Sequence, residues 1–331
     1  MKAIIPVAGA GTKLRPHTHT QPKALIPLAG KPLLDFIIDP LYEAGIEEFI
    51  FIIGHLGEKI RAYIEQKYPH LRSHFVHQTE REGVGHAVWL AREWVQHDEI
   101  LIMLGDTICE CDYRAIIQAR QNVLGVKKVD DPRDFGVAEI DEAQQRIVHV
   151  EEKPQIPTTN TALVGVYKII DTDALFDCLT YHVQHNVRSH DEIQLTDAIE
   201  CMIQKGISFV PFKVTVWFDC GRKDKLLESN ATLLKKRNPL PVREDMVENS
   251  IIVQPVSIAE GCRIKDSIIG PNVTIGEHTF VHRCIIQHSI IGAFSQLKEV
   301  VLADSLIGSD AHIKGFSQHL NIGDNTEIDF A

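Results

Sequence analysis

The stretch KAIIPVAGAGTKLRP, residues 2–16, governs how the first two thirds of the chain are read. Lys2 to Val7 is a compact apolar run of the kind that forms a buried strand, and it opens directly into Ala8-Gly9-Ala10-Gly11-Thr12-Lys13. A loop of small residues after a strand lets backbone N–H groups approach phosphate oxygens closely, and the nearby Lys13 and Lys23 supply counter-charge. The loop lacks the Gly-Lys-Ser/Thr of a P-loop and the third glycine of a dinucleotide fingerprint. By itself it predicts phosphate binding and nothing narrower.

Working outward, Pro32 to Gly45 has helical spacing that Pro40 is expected to kink or break. Phe49 to Ile53 is a second buried-strand run, Gly85 to Val95 reads as a helix, and Ile100 to Leu104 is a third strand ending at Gly105-Asp106. Repeated strand–helix–strand units predict an α/β fold: a mostly parallel, Rossmann-like sheet with helices on both faces. Ligands of such sheets bind beyond the carboxyl ends of the strands, where the glycine loop and Asp106 both fall.

The pattern changes after Lys235. Residues 236–247 are polar, carry Pro239 and Pro241, and read as a linker between a domain at 1–235 and another at 248–331. In the second, aliphatic residues recur at close to six-residue spacing: Ile252, Ile258, Ile264, Ile269, Ile275, Val281, Ile286, Ile291 and Leu297, resuming at Ile307 and Ile313. Ile-Gly pairs begin at 269, 275, 291, 307 and 322. This is the hexapeptide pattern of a short left-handed parallel β-helix, in which three hexads close a coil of roughly 18 residues, aliphatics point inward and Gly or Asn takes the corners.

The 34 Lys and Arg against 45 Asp and Glu give a net charge of −11, which argues against a nucleic-acid partner. The apolar run at the N-terminus is too short for a signal peptide, and no stretch approaches the ~20 apolar residues of a membrane span. Seven scattered cysteines with no CxxC pair predict reduced thiols rather than a disulfide framework, hence a cytoplasmic protein. Among 17 histidines, His70, His74 and His77 have ligand-like spacing but are expected on a solvated loop, and His17 and His19 are expected near the entrance of the glycine loop.

The string GAGTKLRPHT, continued by QPKALIPLAGKPLL, resembles the signature of the sugar-phosphate nucleotidyltransferases, the NDP-sugar pyrophosphorylases. Further blocks follow in the family's order: Gln78 with Gly83-Val84-Gly85-His86-Ala87, Leu104-Gly105-Asp106, Phe135-Gly136-Val137, Glu151-Glu152-Lys153-Pro154, Gln194-Leu195-Thr196-Asp197, and Trp217-Phe218-Asp219-Cys220-Gly221. The resemblance spans nearly the whole chain and is closest to long-form glucose-1-phosphate thymidylyltransferases and uridylyltransferases with a C-terminal hexapeptide β-helix.

It implies an enzyme that forms an NDP-sugar and pyrophosphate from a nucleoside triphosphate and a sugar 1-phosphate, with Mg²⁺ held by Asp106 and Asp219. Ala8, Gly9, Gly11 and Thr12 would hold the nucleotide's phosphates. Lys13 stands where the family usually has Arg, supplying charge on the leaving pyrophosphate without the bidentate fork. Lys23 and Lys153 would align the phosphates, and Gly136 and Glu152 would join Lys153 at the sugar phosphate and sugar hydroxyls. Gln78 and Gly83 would receive the base, and the GVGHAV string (residues 83–88) favours UTP or dTTP over GTP, with glucose 1-phosphate as the expected sugar. Thr107 departs from the Asn that commonly follows the metal aspartate.

The competing readings are a mannose-1-phosphate guanylyltransferase, a bifunctional pyrophosphorylase and acyltransferase using a helix histidine (His278, His282, His288 or His312), and a non-catalytic regulatory subunit, which Lys13 and Thr107 favour. The flat faces of a β-helix suit a homo-oligomer.

Overall fold

The computed structural model describes residues 1–236 and 243–315. The chain divides into two units: Met1–Ile26 with Lys31–Leu226, and Pro27–Gly30 with the chain from Leu227. From Met1 to Lys236 the elements are β1 (Lys2–Pro6), β2 (Pro27–Leu28), β3 (Lys31–Pro32), α1 (Asp35–Glu43), β4 (Glu48–Ile53), α2 (Gly57–Lys67), β5 (Arg72–His77), α3 (Val84–Leu90), α4 (Arg92–Val95), β6 (Ile100–Met103), β7 (Thr107–Glu110), α5 (Tyr113–Gln118), β8 (Asn122–Lys128), β9 (Gly136–Asp141), β10 (Arg146–Glu152), β11 (Thr161–Ile169), α6 (Thr172–His185), α7 (Leu195–Gln204), β12 (Phe209–Lys213), β13 (Val216–Asp219) and α8 (Lys223–Lys236).

Nine strands form one sheet in the order β5-β4-β1-β6-β11-β8-β12-β10-β9. The run β5-β4-β1-β6 is parallel. β11 enters antiparallel to β6 and β8, β12 is parallel to β8, and β10 is antiparallel to β12 and β9. Seven strands therefore share one direction, and only β10 and β11 oppose it. The sheet is mostly parallel, as its sequence pattern implies. Ala3–Ile5, Phe49–Ile53 and Ile100–Met103 are wholly buried because helices cover both faces of the parallel half, which is why they read as unbroken apolar runs. One core cluster joins these strands to α3, α6 and α7.

Three local expectations are corrected. Pro40 does not break its helix: α1 runs through it, and the Pro40 carbonyl still accepts from Ala44 N–H at 3.0 Å. His74 and His77 lie on β5, not on a loop; His74 bonds Glu48 at 3.1 Å and its ring lies against Trp94. Cys178 and Cys201 form a disulfide between α6 and α7, with Cα atoms 6.2 Å apart, while Cys109, Cys111, Cys220, Cys262 and Cys284 carry none. Two helices packed in one core bring together cysteines 23 residues apart in sequence, a pairing that spacing does not reveal.

The second unit contains three parallel ladders that together make the predicted β-helix. Ile264, Val281 and Leu297 stack inward on one ladder, and Ile269 and Ile286 on the next. The repeat is shorter than 18 residues: Val247, Ile264 and Val281 are 17 apart, and Val281, Leu297 and Ile313 are 16 apart. Tight corners absorb the difference, and Asp266, Arg283, Glu299 and Phe294 adopt the left-handed backbone there where Gly or Asn was expected. Asn230 is fully buried within this unit; its Oδ1 accepts from Ala29 N–H at 2.8 Å and from Thr274 Oγ1 at 2.7 Å, which ties residues 27–30 to the coils. Outward on the ladder that carries Ile269 and Ile286, Ile251, Ile268, Ile285 and Val301 stand in register and exposed. Part of the expected linker (237–242) and the segment 316–331, with its Ile322-Gly323 pair, lie outside the described residues.

Candidate active site

The loop after β1 places its residues by backbone geometry. Gly11 has φ +60°, and a Cβ there would meet the Thr18 methyl at 2.8 Å, while the Thr18 hydroxyl donates to the Gly11 carbonyl at 2.8 Å. Gly9 is different: a Cβ there would meet no atom within 4 Å. Packing does not require glycine at that position, and the space above its backbone is open. Gly105 lets the end of β6 lie against the end of β1, since a Cβ would sit 2.4 Å from Val7 and 2.6 Å from the Pro6 carbonyl. Asp106 follows it directly, beside the loop.

The Lys23 ammonium donates to Asp106 Oδ2 at 2.8 Å. Asp219 reaches the same place from β13, which pairs with β7 so that Asp219 stands opposite Thr107, and Cys220 N–H donates to the Asp106 carbonyl at 3.0 Å. Gly221 N–H donates to Asp219 Oδ1 at 2.9 Å. The two carboxyls titrate in opposite directions. Burial pushes Asp106 up, but Lys23, a backbone N–H and the Thr107 hydroxyl outweigh it and hold the carboxyl below its usual range. Burial and the charge of Asp106 push Asp219 up, against the pull of Lys23 and Lys13. Lys13 is exposed on the 3₁₀ turn Thr12–Leu14. Burial, then Lys223, lowers the pKa of His17 in the turn that follows.

Two carboxylates that repel one another, with an ammonium on one of them where a cation would sit, are a hard oxygen donor set that fits Mg²⁺. Among the described residues no set of three or more His, Cys, Asp or Glu gathers as a metal site. An ion held here would therefore take the rest of its shell from phosphate and water.

A second cluster forms where β10 ends. Glu152 Oε2 accepts from Thr196 Oγ1 at 2.7 Å, and Glu152 Oε1 lies 3.2 Å from Lys153 Nζ. A Cβ on Gly136 would press on that Oε2 at 3.0 Å, so glycine leaves room for this carboxylate. Burial on β11, and then the charges of Glu152 and Asp106, raise the pKa of Tyr167. On the other side, Gln78 follows β5, and Gly83 (φ +102°) packs so closely on Glu192 and Ile193 that no side chain fits. The segment 188–193 connects these groups: Arg188 pairs with Glu82 at 2.7 Å, and His190 Nε2 lies 3.1 Å from the Glu152 carbonyl.

The structure thus gathers Lys23, Asp106 and Asp219, with Lys13 nearby, in one group and Gly136, Glu152 and Lys153 in a second, with Gln78 and Gly83 forming a third. Thr196, Tyr167 and His86 also stand among these groups. Thr196 and His86 belong to the motifs at 194–197 and 83–87, whereas Tyr167 carries no sequence signal because it reads as an ordinary buried strand residue. A shallow surface pocket of about 490 Å³ between 130–133 and 157–160 contains none of these groups. In the coils, His278 is stacked on Phe294, His282 lies beside Asp266 and His288 contacts Asn272.

Residues 2–236 match the family model described as Nucleotidyl transferase, and residues 240–293 match that described as GlmU-like, C-terminal hexapeptide. The chain is 29% identical to the low-salt glycan biosynthesis nucleotidyltransferase Agl11 of Haloferax volcanii over 99% of both chains. It is 30% identical to a glucose-1-phosphate thymidylyltransferase of Streptomyces antibioticus, over 95% of this chain and 93% of that one. Identity to the bifunctional protein GlmU of Methanocaldococcus jannaschii is 35%, over 79% of this chain but only 61% of the relative. Among solved structures, a putative glucose-1-phosphate thymidylyltransferase from Bacillus anthracis superposes with a TM-score of 0.62 at 25% identity, covering 72% of this chain and 96% of that one. A UDP-glucose pyrophosphorylase complexed with UDP-glucose gives a TM-score of 0.62 at 23% identity over 71% and 99% of the two chains, which speaks for the fold.

Proposed function

The chain belongs to the nucleotidyl transferase family and is a sugar-1-phosphate nucleotidyltransferase, and from that premise we propose that its substrates are dTTP or UTP and glucose 1-phosphate. The observation that carries the reading is the Lys23 ammonium on Asp106, with Asp219 alongside, at the mouth of the glycine loop.

An oxygen of the sugar phosphate attacks the α-phosphorus in line. A new P–O bond forms, the bond from the α-phosphorus to the bridging oxygen breaks, and pyrophosphate leaves with the electron pair. The attacking oxygen is already anionic near neutral pH, so no general base is needed and catalysis is positioning plus charge neutralisation. Asp106 and Asp219 would hold Mg²⁺, which when bound withdraws charge from phosphate oxygens. Lys23 orients the α-phosphate, Lys153 grips the sugar phosphate, Glu152 accepts from sugar hydroxyls, and Ala8, Gly9, Gly11 and Thr12 bring backbone N–H groups to the triphosphate. Lys13 steadies the departing pyrophosphate. The reading assigns this chemistry to residues 1–235 and a structural role to the coils from 248, with a cytoplasmic location.

The direct test is pyrophosphate release from UTP, dTTP, GTP, CTP and ATP against a panel of sugar 1-phosphates with Mg²⁺. Turnover confined to GTP and mannose 1-phosphate would replace this reading with the guanylyltransferase one. Binding without release across the whole panel would replace it with the regulatory one. Lys13→Arg is expected to keep or raise kcat, because the guanidinium fork contacts two oxygens where the ammonium contacts one; complete loss would show that the site requires the compact charge.

The aliphatic column Ile251, Ile268, Ile285 and Val301, 38% to 71% exposed, offers an uncharged strip on a chain of net charge −11. Four exposed aliphatic side chains in register make a contiguous apolar strip of the kind found at interfaces. A second copy laid on it would make this strip the dry centre of a larger homo-oligomer contact. Ile285→Lys is expected to shift gel-filtration mass to the monomer; a wild-type chain that is monomeric at high concentration would remove this part of the proposal.

A further inference from the structure

We infer that His86, acting with the Gly83 carbonyl, holds the –NH₂ end of the Gln78 amide away from the nucleotide base, so that the site offers a hydrogen-bond acceptor and selects uracil or thymine over cytosine. This rests on the pyrimidine nucleotide proposed above and adds a positioning residue to it.

The Gln78 side chain is buried, and its Nε2 lies 3.0 Å from the Gly83 carbonyl oxygen. A carbonyl only accepts, so this contact identifies the –NH₂ end of the amide without ambiguity. The same Nε2 lies 3.2 Å from His86 Nδ1. The amide nitrogen has two hydrogens, and these two contacts use both. His86 Nδ1 must therefore be the bare, accepting nitrogen, with the ring hydrogen on Nε2, which faces the Glu82 carboxylate at 3.7 Å.

The imidazole is held in that state from several sides. Its ring stacks on Trp89 with centroids 5.7 Å apart, and Arg92 covers the Trp89 indole at 3.9 Å. Glu82 is anchored by Arg188 at 2.7 Å. Burial lowers the His86 pKa and keeps the ring neutral; among the charged groups facing it, Glu82 and Glu80 oppose that and Arg188 reinforces it. Gln78 Oε1 is left over. It has no donor among the described residues, and it is not among the buried polar atoms sealed without a partner.

With the base placed against Gln78, as the proposed function has it, the remaining Oε1 lone pair would accept from the N3–H of uracil or thymine. Cytosine has the same size but carries a lone pair at N3, so the two acceptors repel. Discrimination by a buried polar contact of this kind is strong because the wrong base leaves groups unpaired.

The experiment compares wild type, His86→Phe and His86→Asn, each checked by thermal melting. Phe removes the acceptor while keeping a ring on Trp89, and Asn can return an acceptor close to the Nδ1 position. His86→Phe is expected to lower the UTP-to-CTP ratio of kcat/KM roughly tenfold, through the nucleotide KM, with the sugar 1-phosphate KM unchanged. His86→Asn is expected to stay within about threefold of wild type. An unchanged ratio in His86→Phe, or equal loss in both variants, overturns the proposal. Calorimetric affinities for UTP and CTP carry the same comparison without turnover. If wild type releases no pyrophosphate with any substrate pair, the functional reading fails, while the binding ratio still judges His86.

Discussion

Asp106→Asn and Asp219→Asn are each expected to cut pyrophosphate release by about a thousandfold or more, and to move stability in opposite directions. The two carboxyls share one small volume, and both would be needed to hold the cation. Their effects on folding differ because their environments do. The folded state holds Asp219 above its usual pKa, through burial and then Asp106, so the folded chain takes up a proton more readily there than the unfolded chain. The stability tied to that group is present in acid and is lost as pH rises through the raised pKa. At neutral pH its charge is a cost, and Asp219→Asn removes it: the melting temperature of the metal-free protein should hold or rise. Asp106 is held below its usual pKa, despite burial, by Lys23 in the main. Its contribution is present above the ordinary carboxylate range and disappears as pH falls through the lowered pKa. Asp106→Asn should therefore melt lower, by a modest amount because the ion pair is partly solvated. Melting curves at neutral pH without metal, alongside pyrophosphate assays with Mg²⁺, check both signs. Near-wild-type release by either variant would sink the metal assignment.

Lys23→Met is expected to lower kcat/KM by roughly a hundredfold, with Lys23→Arg recovering only part. Lys23 is the cation that meets Asp106 at 2.8 Å, and its methylene stem is largely buried, so Met preserves the packing while deleting the charge. The loss should fall on kcat more than on the nucleotide KM if the ammonium acts most strongly as charge shifts along the α-phosphate. A variant within threefold of wild type would show that Lys23 only balances Asp106 in the absence of a metal ion.

Much of this was legible in the residues. The unbroken apolar runs at Lys2–Val7, Phe49–Ile53 and Ile100–Leu104 announced strands buried on both faces, and they became β1, β4 and β6. The near-six-residue aliphatic repeat announced a coil. Gly9, Gly11 and Asp106 follow the ends of β1 and β6 because a strand followed by small residues has little freedom in where it delivers them. What the pattern missed has physical causes. A strand that runs against its neighbours, such as β11, has the same side-chain alternation as one that runs with them. The coil repeat of 16 to 17 residues depends on corner conformations, and Arg283 and Glu299 adopt those against their own preference because the ladders on either side hold them there.

By itself the sequence determined the local chemistry: which residues carry charge, where the backbone is bare, and which segments must be buried. Those properties belong to single residues and their near neighbours. Only the tertiary structure decided the relations between groups far apart in the chain: Lys23 on Asp106, Asp219 raised by burial and then by Asp106, Thr196 on Glu152, the Cys178–Cys201 bond, and the Gln78 amide held by Gly83 and His86. Charge and hydrogen-bond polarity at a site are set by what lies within a few ångströms, and that neighbourhood exists only once the sheet has brought the ends of its strands together.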